Sequence, residues 1–339
     1  MQESTVSIAR EACYPGIDRL GRATCDLDLS IVIPVYNSEK TIGIVVDQLH
    51  SLLNGKARFE IILINDGSVD RSLEVLLSIF NQYDNVKVVN LSKNFGEHNA
   101  VMAGLNNAEG AYVITMDDDL QNPPEEILKL IAEAEKGYDV IYAQYPVKKQ
   151  SLFRNMGSEI NNLMAKALIK KPGGMKLNSF RIMKSYVVKE VIRYKAPYPY
   201  IDGLVLRVTR NIGTIMVEHR ERKEGRSNYT LRKLVGLWLN GFLNFSITPL
   251  RSFIYGGFIF ALTGFLLAIA IIVDDLFFES TIPGWTSLIT ATLVFSGVQL
   301  LSIGMLGEYI GRIFLTQNLT PQYVVKDLIL KESRGKTVR

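Results

Sequence analysis

Ala111-Tyr112-Val113-Ile114-Thr115-Met116-Asp117-Asp118-Asp119-Leu120-Gln121 is the stretch on which the reading of this chain turns. A short, β-branched, apolar run that stops at three carboxylates reads as a buried strand delivering acidic side chains to a sheet edge. Upstream, Leu29-Ser30-Ile31-Val32-Ile33-Pro34-Val35 has the same character, and Lys40 to about Leu53 carries apolar residues at helical spacing. Phe59–Ile64 reads as a second strand, ending in the turn Asn65-Asp66-Gly67-Ser68, with a helix from Ser72 to about Tyr83. Val86–Leu91 reads as a third strand and Glu97–Asn107 as a helix before the fourth strand, 111–116. Strands alternating with helices in this rhythm predict βαβ units and an α/β fold with a mainly parallel sheet. Such sheets bind ligands beyond the carboxyl ends of their strands. The polar clusters at 36–39, 65–68, 92–96 and 117–121 all fall there.

Neither G-x-G-x-x-G nor G-x-x-x-x-G-K-[ST] follows the first strand. This argues against ordinary dinucleotide dehydrogenases and P-loop NTPases. The three histidines form no metal-ligand spacing, so a zinc site is not expected. Cys13 and Cys25 are two isolated cysteines in a poorly patterned N-terminal stretch, which fits a reducing compartment better than a disulfide framework.

The chain has 339 residues, 47% of them apolar, with a formal charge of +4. The apolar residues are unevenly spread. Residues 252–273 carry no charge, which as a helix would span roughly 33 Å, enough for a ~30 Å hydrocarbon core. A second uncharged run extends from Trp285 to Gly307. The competing reading is a pair of buried core helices. Arg251 and Arg312 flank the pair, whereas the link between carries Asp274, Asp275 and Glu279 and no Lys or Arg. The positive-inside rule then puts both ends of the hairpin, and the preceding domain, in the cytoplasm. Leu231–Phe245 mixes Arg232 and Lys233 with Leu234, Leu237, Trp238 and Phe242, as an interfacial helix would. Residues 152–169 fit either a second such helix or one packed on the core. The expected organisation is a tail over 1–27, a cytoplasmic domain over 28–230 and an amphipathic helix over 231–250. Two transmembrane helices within 251–312 and a cytoplasmic segment over 313–339 follow.

Three successive carboxylates repel one another unless a cation neutralises them. Hard divalent ions such as Mg²⁺ and Mn²⁺ take oxygen ligands and bridge substrate phosphates. In extended chain Asp117 and Asp119 point the same way and Asp118 the other. The first and third are therefore the expected working pair, with Asp118 a spare and Gln121 adding an amide oxygen. An acidic surface turn is the plainer alternative.

Ile33-Pro34-Val35-Tyr36-Asn37, Asn65-Asp66-Gly67-Ser68, Leu91-Ser92-Lys93-Asn94-Phe95-Gly96 and Asp117 through Glu125 together resemble family-2 inverting glycosyltransferases of the A-type fold. More narrowly they resemble the polyprenyl-phosphate glycosyltransferases, over about residues 28–330, including Gly307-Glu308-Tyr309-Ile310-Gly311-Arg312. The resemblance implies a Rossmann-like catalytic domain followed by interfacial helices and a two-helix transmembrane hairpin. The implied reaction is transfer of a sugar from a nucleotide-sugar, a UDP-sugar such as UDP-glucose, to undecaprenyl phosphate at a bacterial inner membrane. The product would serve cell-envelope glycans, lipopolysaccharide among them. It also implies Mg²⁺ or Mn²⁺ as cofactor, membrane lipids as neighbours and a homotetramer, to which Pro321–Leu330 looks strand-like enough to contribute by pairing with a neighbour. Nucleic acid is not among the expected partners.

Matched residue by residue, Pro34, Tyr36, Asp66 and Lys93 would hold the nucleotide. Asp117 would contact ribose or metal, and Asp119 and Gln121 the metal. Within His219–Tyr229, Arg220, Arg222 and Ser227 would bind acceptor phosphate, since guanidinium groups take phosphate through paired hydrogen bonds. A basic juxtamembrane patch attracted to anionic lipid is the plainer reading of that run. Arg181 is a further candidate phosphate ligand, and the expected catalytic set is Asp117, Asp119, Arg181 and Arg220. Two departures stand out. Asn228 occupies a position where relatives often have Lys, and Asn178-Ser179 replaces the Gly-Asp many bacterial relatives carry before the Phe-Arg matched by Phe180-Arg181. The missing carboxylate removes an obvious base and is the main support for a rival reading, a silent scaffold that binds nucleotide-sugar. A processive polysaccharide synthase is a third reading, disfavoured by the lack of Gln-x-x-Arg-Trp.

Overall fold

The computed structural model describes residues 28–145, 177–218 and 284–331, with scattered helical positions between 255 and 266. The chain divides into two compact units, Met1–Leu231 with Pro321–Arg339, and Arg232–Thr320.

The first unit is built on strands β1 (Leu29–Val35), β2 (Phe59–Asn65), β3 (Val86–Leu91), β4 (Tyr112–Thr115), β5 (Val140–Gln144), β6 (Arg181–Lys184), β7 (Ile212–Met216) and β8 (Val325–Ile329). They form one sheet in the order β7-β5-β6-β4-β1-β2-β3-β8. β3, β2, β1 and β4 run parallel. β6 lies antiparallel between β4 and β5, and β8 antiparallel on β3. Helices α1 (Ile42–Leu53), α2 (Ser72–Gln82), α3 (Glu97–Leu105), α4 (Ile127–Ala134), α5 (Ser185–Val191) and α6 (Ile201–Val208) connect them.

The strand sequences explain the layering. β1 and β2 are apolar at almost every position and buried on both faces, as strands of a parallel sheet covered by helices must be. Ile42, Val45, Val46, Leu49 and Leu53 form the buried stripe of α1 at the spacing the sequence displays. The chain winds outward from β1 to β2 and β3, then returns to place β4 on the opposite side of β1. That reversal leaves a crevice at the carboxyl ends of β1 and β4.

Beside it, α3 packs very close to the sheet. A Cβ on Gly104 would stand 2.3 Å from Val32 Cγ1 and 2.7 Å from Ile64 Cδ1.

β8 is a strand, as its sequence suggests, and it pairs along one edge with β3 as the outermost strand of the sheet. Residues from Pro321 onward group with the first unit. In the second unit, helix α7 runs from Trp285 to Gln317, ten residues beyond the expected end at Gly307. Its stretch Phe295–Gln317 is long and apolar enough to cross a membrane and is one such helix among the described residues. Most of the expected first span, the tail 1–27, residues 152–169 and the amphipathic segment 231–250 lie outside the described residues.

Gly104→Ala forces the new methyl into Val32 and Ile64. Overpacking of this kind costs about 1–3 kcal/mol, so the thermal midpoint of the full chain in detergent should fall, while Gly43→Ala, which meets nothing within 4 Å, should leave it unchanged or raised.

Candidate active site

Four turns at the carboxyl edge are tied to one another by side chains. Asp66, at the end of β2, is 3% exposed. Its N–H donates to the Val35 carbonyl, and its carboxylate accepts the backbone N–H groups of Phe95 (2.7 Å) and Gly96 (2.9 Å). Burial raises its pKa, and those two hydrogen bonds oppose the rise. Asp66, expected on the nucleotide, is therefore first a clamp on the 92–96 loop. Each carboxylate oxygen retains a second lone pair for a ligand. Gly67 completes the turn at φ 65°, and a Cβ there would lie 2.5 Å from the Asn94 nitrogen and the Lys93 carbonyl carbon. Only glycine lets the two loops approach so closely. Lys93 is exposed, its ammonium 5.2 Å from the centre of the Phe95 ring.

At the end of β1, Pro34 is half-buried and Tyr36 is 42% exposed. Asn37 adopts φ 55°, donates its N–H to Ser68 Oγ (3.1 Å) and accepts the Val69 N–H (2.9 Å).

Across the crevice, the acidic triplet is held residue by residue. Asp117 Oδ2 accepts Ser179 Oγ–H at 2.6 Å and Asn122 Nδ2–H at 3.3 Å, and Asn122 is itself fixed by the Tyr145 hydroxyl at 2.6 Å. Asp118 Oδ2 accepts Ser38 Oγ–H at 2.5 Å and the Tyr36 N–H at 3.3 Å. Asp119 Oδ1 accepts the Gln121 N–H at 3.0 Å. This last bond follows the bend at Leu120, a buried leucine at φ 61°. Such a conformation is uncommon for a bulky residue and is held only where the surroundings demand it.

Alternation along the chain does separate Asp118 from Asp117, but Asp118 is not a spare. It joins the β4 loop to the β1 loop. Burial, followed by the neighbouring Asp117 and Asp119 charges, pushes its pKa up to about 7 against the Ser38 and Tyr36 bonds.

Arg181 departs from the expected picture. It is 2% exposed at the start of β6, paired with Asp202 through Nη1, bonded from Nε to Thr115 Oγ1 (3.2 Å) and set 5.7 Å from the Tyr142 ring. These contacts make it an internal counter-charge to Asp202 rather than a guanidinium presented to a phosphate. Asp202 stands alone among Ile201, Gly203, Leu204, Val205 and Leu206, and a lone carboxylate in an apolar helix is the signal by which sequence reasoning finds such a partner.

Glu97, the first residue of α3, also escaped the sequence reading. It is exposed, yet the surrounding protein and the Asp117 charge raise its pKa to about 7. Arg220, Arg222 and Ser227 lie outside the described residues.

Among the described residues, no group of three or more His, Cys, Asp or Glu is arranged to hold a metal by itself. The crevice nonetheless concentrates Asp117, Asp118, Asp119 and Glu97, and Arg181, a cation near them, is paired with Asp202. Such a site suits a hard divalent ion whose remaining ligands are waters and substrate phosphate oxygens.

Residues 30–192 match the family described as Glycosyl transferase family 2. An uncharacterized glycosyltransferase, YkcC, of Bacillus subtilis is 35% identical over 302 residues, covering 88% of this chain and 94% of that protein. The chain belongs to glycosyl transferase family 2. The undecaprenyl-phosphate 4-deoxy-4-formamido-L-arabinose transferases of Yersinia enterocolitica and Pectobacterium atrosepticum are 35% and 36% identical to this glycosyltransferase, each over 89% of it and 93% and 94% of themselves. Among solved structures, glucosyl-3-phosphoglycerate synthase from Mycobacterium tuberculosis in complex with UDP matches with a TM-score of 0.49 at 17% identity, over 62% of this chain and 76% of that one.

The acidic crevice has a pH signature. Asp118 and Glu97 bind protons more tightly folded than unfolded, so in metal-free protein stability should fall as pH rises from about 4 to about 7. Asp118→Asn keeps an oxygen for Ser38 and Tyr36 but removes one of those protons. Urea unfolding across that range in EDTA should show a shallower decline for the variant, and an unchanged slope would refute the assignment.

Proposed function

We propose that this glycosyltransferase moves a sugar, with inversion, from a nucleoside-diphosphate sugar to undecaprenyl phosphate at a bacterial inner membrane, with its catalytic domain cytoplasmic. The observation that carries the reading is the extent of the match to undecaprenyl-phosphate transferases. It covers 89% of the chain, well beyond the family-2 segment 30–192, and so reaches into the C-terminal third and helix α7. A helix apolar enough to cross a membrane supports a lipid acceptor.

In this reading the nucleotide lies against Pro34, Tyr36, Asp66 and Lys93, with Tyr36 stacking on the base and the remaining lone pairs of Asp66 accepting from base or ribose. The diphosphate points toward the triplet across the β1/β4 crevice. Asp117, Asp119 and Gln121 would hold Mg²⁺ or Mn²⁺, which when bound stabilises the departing diphosphate as a Lewis acid. Asp118 keeps the β1 loop, and with it Tyr36, in register with the triplet.

An oxygen of the lipid phosphate attacks the anomeric carbon from the face opposite the diphosphate. The new C–O bond forms as the bond to the diphosphate breaks, and the electron pair leaves with the diphosphate. A phosphate monoester has its second pKa near ~6, so most of it is already dianionic at neutral pH and no protein base is required. This accommodates Ser179. Its hydroxyl orients Asp117 instead of accepting a proton. Arg220, Arg222 and Ser227 are proposed to bind the acceptor phosphate. The donor is a UDP-sugar, with glucose and the formamido-arabinose named in the relatives as the first candidates.

The test is a donor screen with undecaprenyl phosphate, Mg²⁺ or Mn²⁺ and mass detection of the lipid. A lipid gaining one glycosyl unit, with metal-dependent release of nucleoside diphosphate, is the expected result. Asp119→Ala should lower turnover by about 10²-fold or more, and full turnover in that variant would remove Asp119 from the metal site. Donor binding with no lipid-linked product from any donor would favour the scaffold reading instead.

A further inference from the structure

A line of side-chain hydrogen bonds crosses the sheet at its ligand edge, from the outermost strand to the end of β1. It begins at Asp327 on β8, whose Oδ2 accepts Asn90 Nδ2–H on β3 at 2.7 Å. Asn90 Oδ1 accepts Asn65 Nδ2–H on β2 at 2.9 Å. Asn65 Oδ1 accepts the Ser68 N–H at 3.2 Å, and Ser68 Oγ accepts the Asn37 N–H at 3.1 Å. Asn65 and Asn90 are 3% and 4% exposed, so water offers little substitute for either amide. A shift of register between Asn90 and Leu91 sets Asp327 opposite Asn90 and Val325 opposite Leu91, a bulge that passes over Lys326. Beyond it, the Ser92 N–H donates to the Val324 carbonyl at 2.9 Å, so β8 also holds the start of the 92–96 loop.

The line has a direction, and the groups at both ends set it. An asparagine amide presents an oxygen that accepts on one side and an NH₂ that donates on the other. The Ser68 N–H can only donate, and the Asp327 carboxylate accepts. Asp327 therefore requires Asn90 to turn its NH₂ outward and its oxygen toward β2. That in turn requires Asn65 to spend its NH₂ on Asn90, leaving its own oxygen for the Ser68 N–H. Reversed, the same two amides would present an NH₂ group to the Ser68 N–H, donor against donor. Asp327 is exposed on an edge strand, far along the chain from every motif that marks the site.

We infer that Asp327, acting through Asn90 and Asn65, is a positioning residue for the nucleotide side of the donor site. It orders the Asn65–Ser68 turn that carries Asp66 and, through Ser68, the backbone of Asn37 beside Tyr36. This rests on the proposed nucleotide-sugar reading of those turns.

The experiment measures nucleoside diphosphate binding by calorimetry, using UDP, GDP, CDP and ADP with Mg²⁺ on the full chain in detergent. Donor KM and kcat and the thermal midpoint are followed alongside. Asp327→Asn still offers an acceptor to Asn90 and should bind within about twofold of the parent. Asp327→Ala leaves the Asn90 NH₂ without this acceptor and should weaken binding about three- to tenfold. Asp327→Lys sets a donor against the Asn90 NH₂, in conflict with the direction the Ser68 N–H imposes, and should weaken it most. The rise should appear in donor KM with kcat at saturation little changed. The order Asn, Ala, Lys should hold whatever the order of thermal midpoints, which a purely structural role would not produce. Equal affinity in the parent, Ala and Lys variants, or a loss confined to kcat, overturns the inference. If the parent binds none of the four nucleotides, the nucleotide-sugar reading fails and this inference fails with it.

Discussion

The crevice between β1 and β4 exists because β1 is hydrogen-bonded along both edges and the chain reverses its winding around it. Parallel neighbours on either side leave two loops departing in opposite directions from adjacent strand ends. Nothing in the backbone ladder holds those loops together. Side chains do it, Asp118 accepting from Ser38 and from the Tyr36 backbone across the gap. The triplet is thus both a charge centre and a joint. Its middle residue joins the loops, and its outer residues turn away from the joint toward β6 and toward the bend at Leu120.

Much of this was legible in the sequence, for reasons that differ by element. Buried parallel strands announce themselves because both faces are apolar, and β3 falls on Val86–Leu91 as its composition indicates. The acidic triplet is legible because carboxylates directly after a buried strand have few structural uses. What stood opposite each carboxylate was not legible. The contacts of Asp117 with Ser179 and of Asp118 with Tyr36 join residues 62 and 82 positions apart, and side-chain alternation predicts a direction but no partner. Alternation alone therefore makes Asp118 a spare. The same limit applies to Arg181. A basic residue beside an acidic site suggests a ligand, whereas the lone Asp202 on α6 claims it.

The same accounting explains why Ser179 is compatible with the chemistry. With Asp117 already beside Asp118, Asp119 and Glu97, another carboxylate at 179 would add a like charge at hydrogen-bonding distance. A hydroxyl gives Asp117 a donor and adds no charge. The substitution therefore trades a base for an orienting hydrogen bond. That trade is harmless only if the acceptor arrives already ionised, as a lipid phosphate does and a sugar hydroxyl does not. Ser179 is thus compatible with a phosphate acceptor, and it is also the residue on which the scaffold reading rests.

β8 adds the last constraint. An edge strand is usually the least consequential in a sheet, since it has one neighbour and faces solvent. Here it follows the long apolar helix in the chain and returns to the catalytic unit to pair with β3. Gln322 enters the fold just before it, donating to the carbonyls of Tyr194 and Ala196, and Lys331 reaches Asp84 just after it. Side chains attach it at three points, Gln322, Asp327 and Lys331. Only the middle one is directed inward along buried amides to the turn that carries Asp66. The polar line therefore belongs with the site rather than with the edge, because amides buried on β2 and β3 are costly unless paired, and hydrophobic residues would have filled those positions had closure of the sheet been their only task.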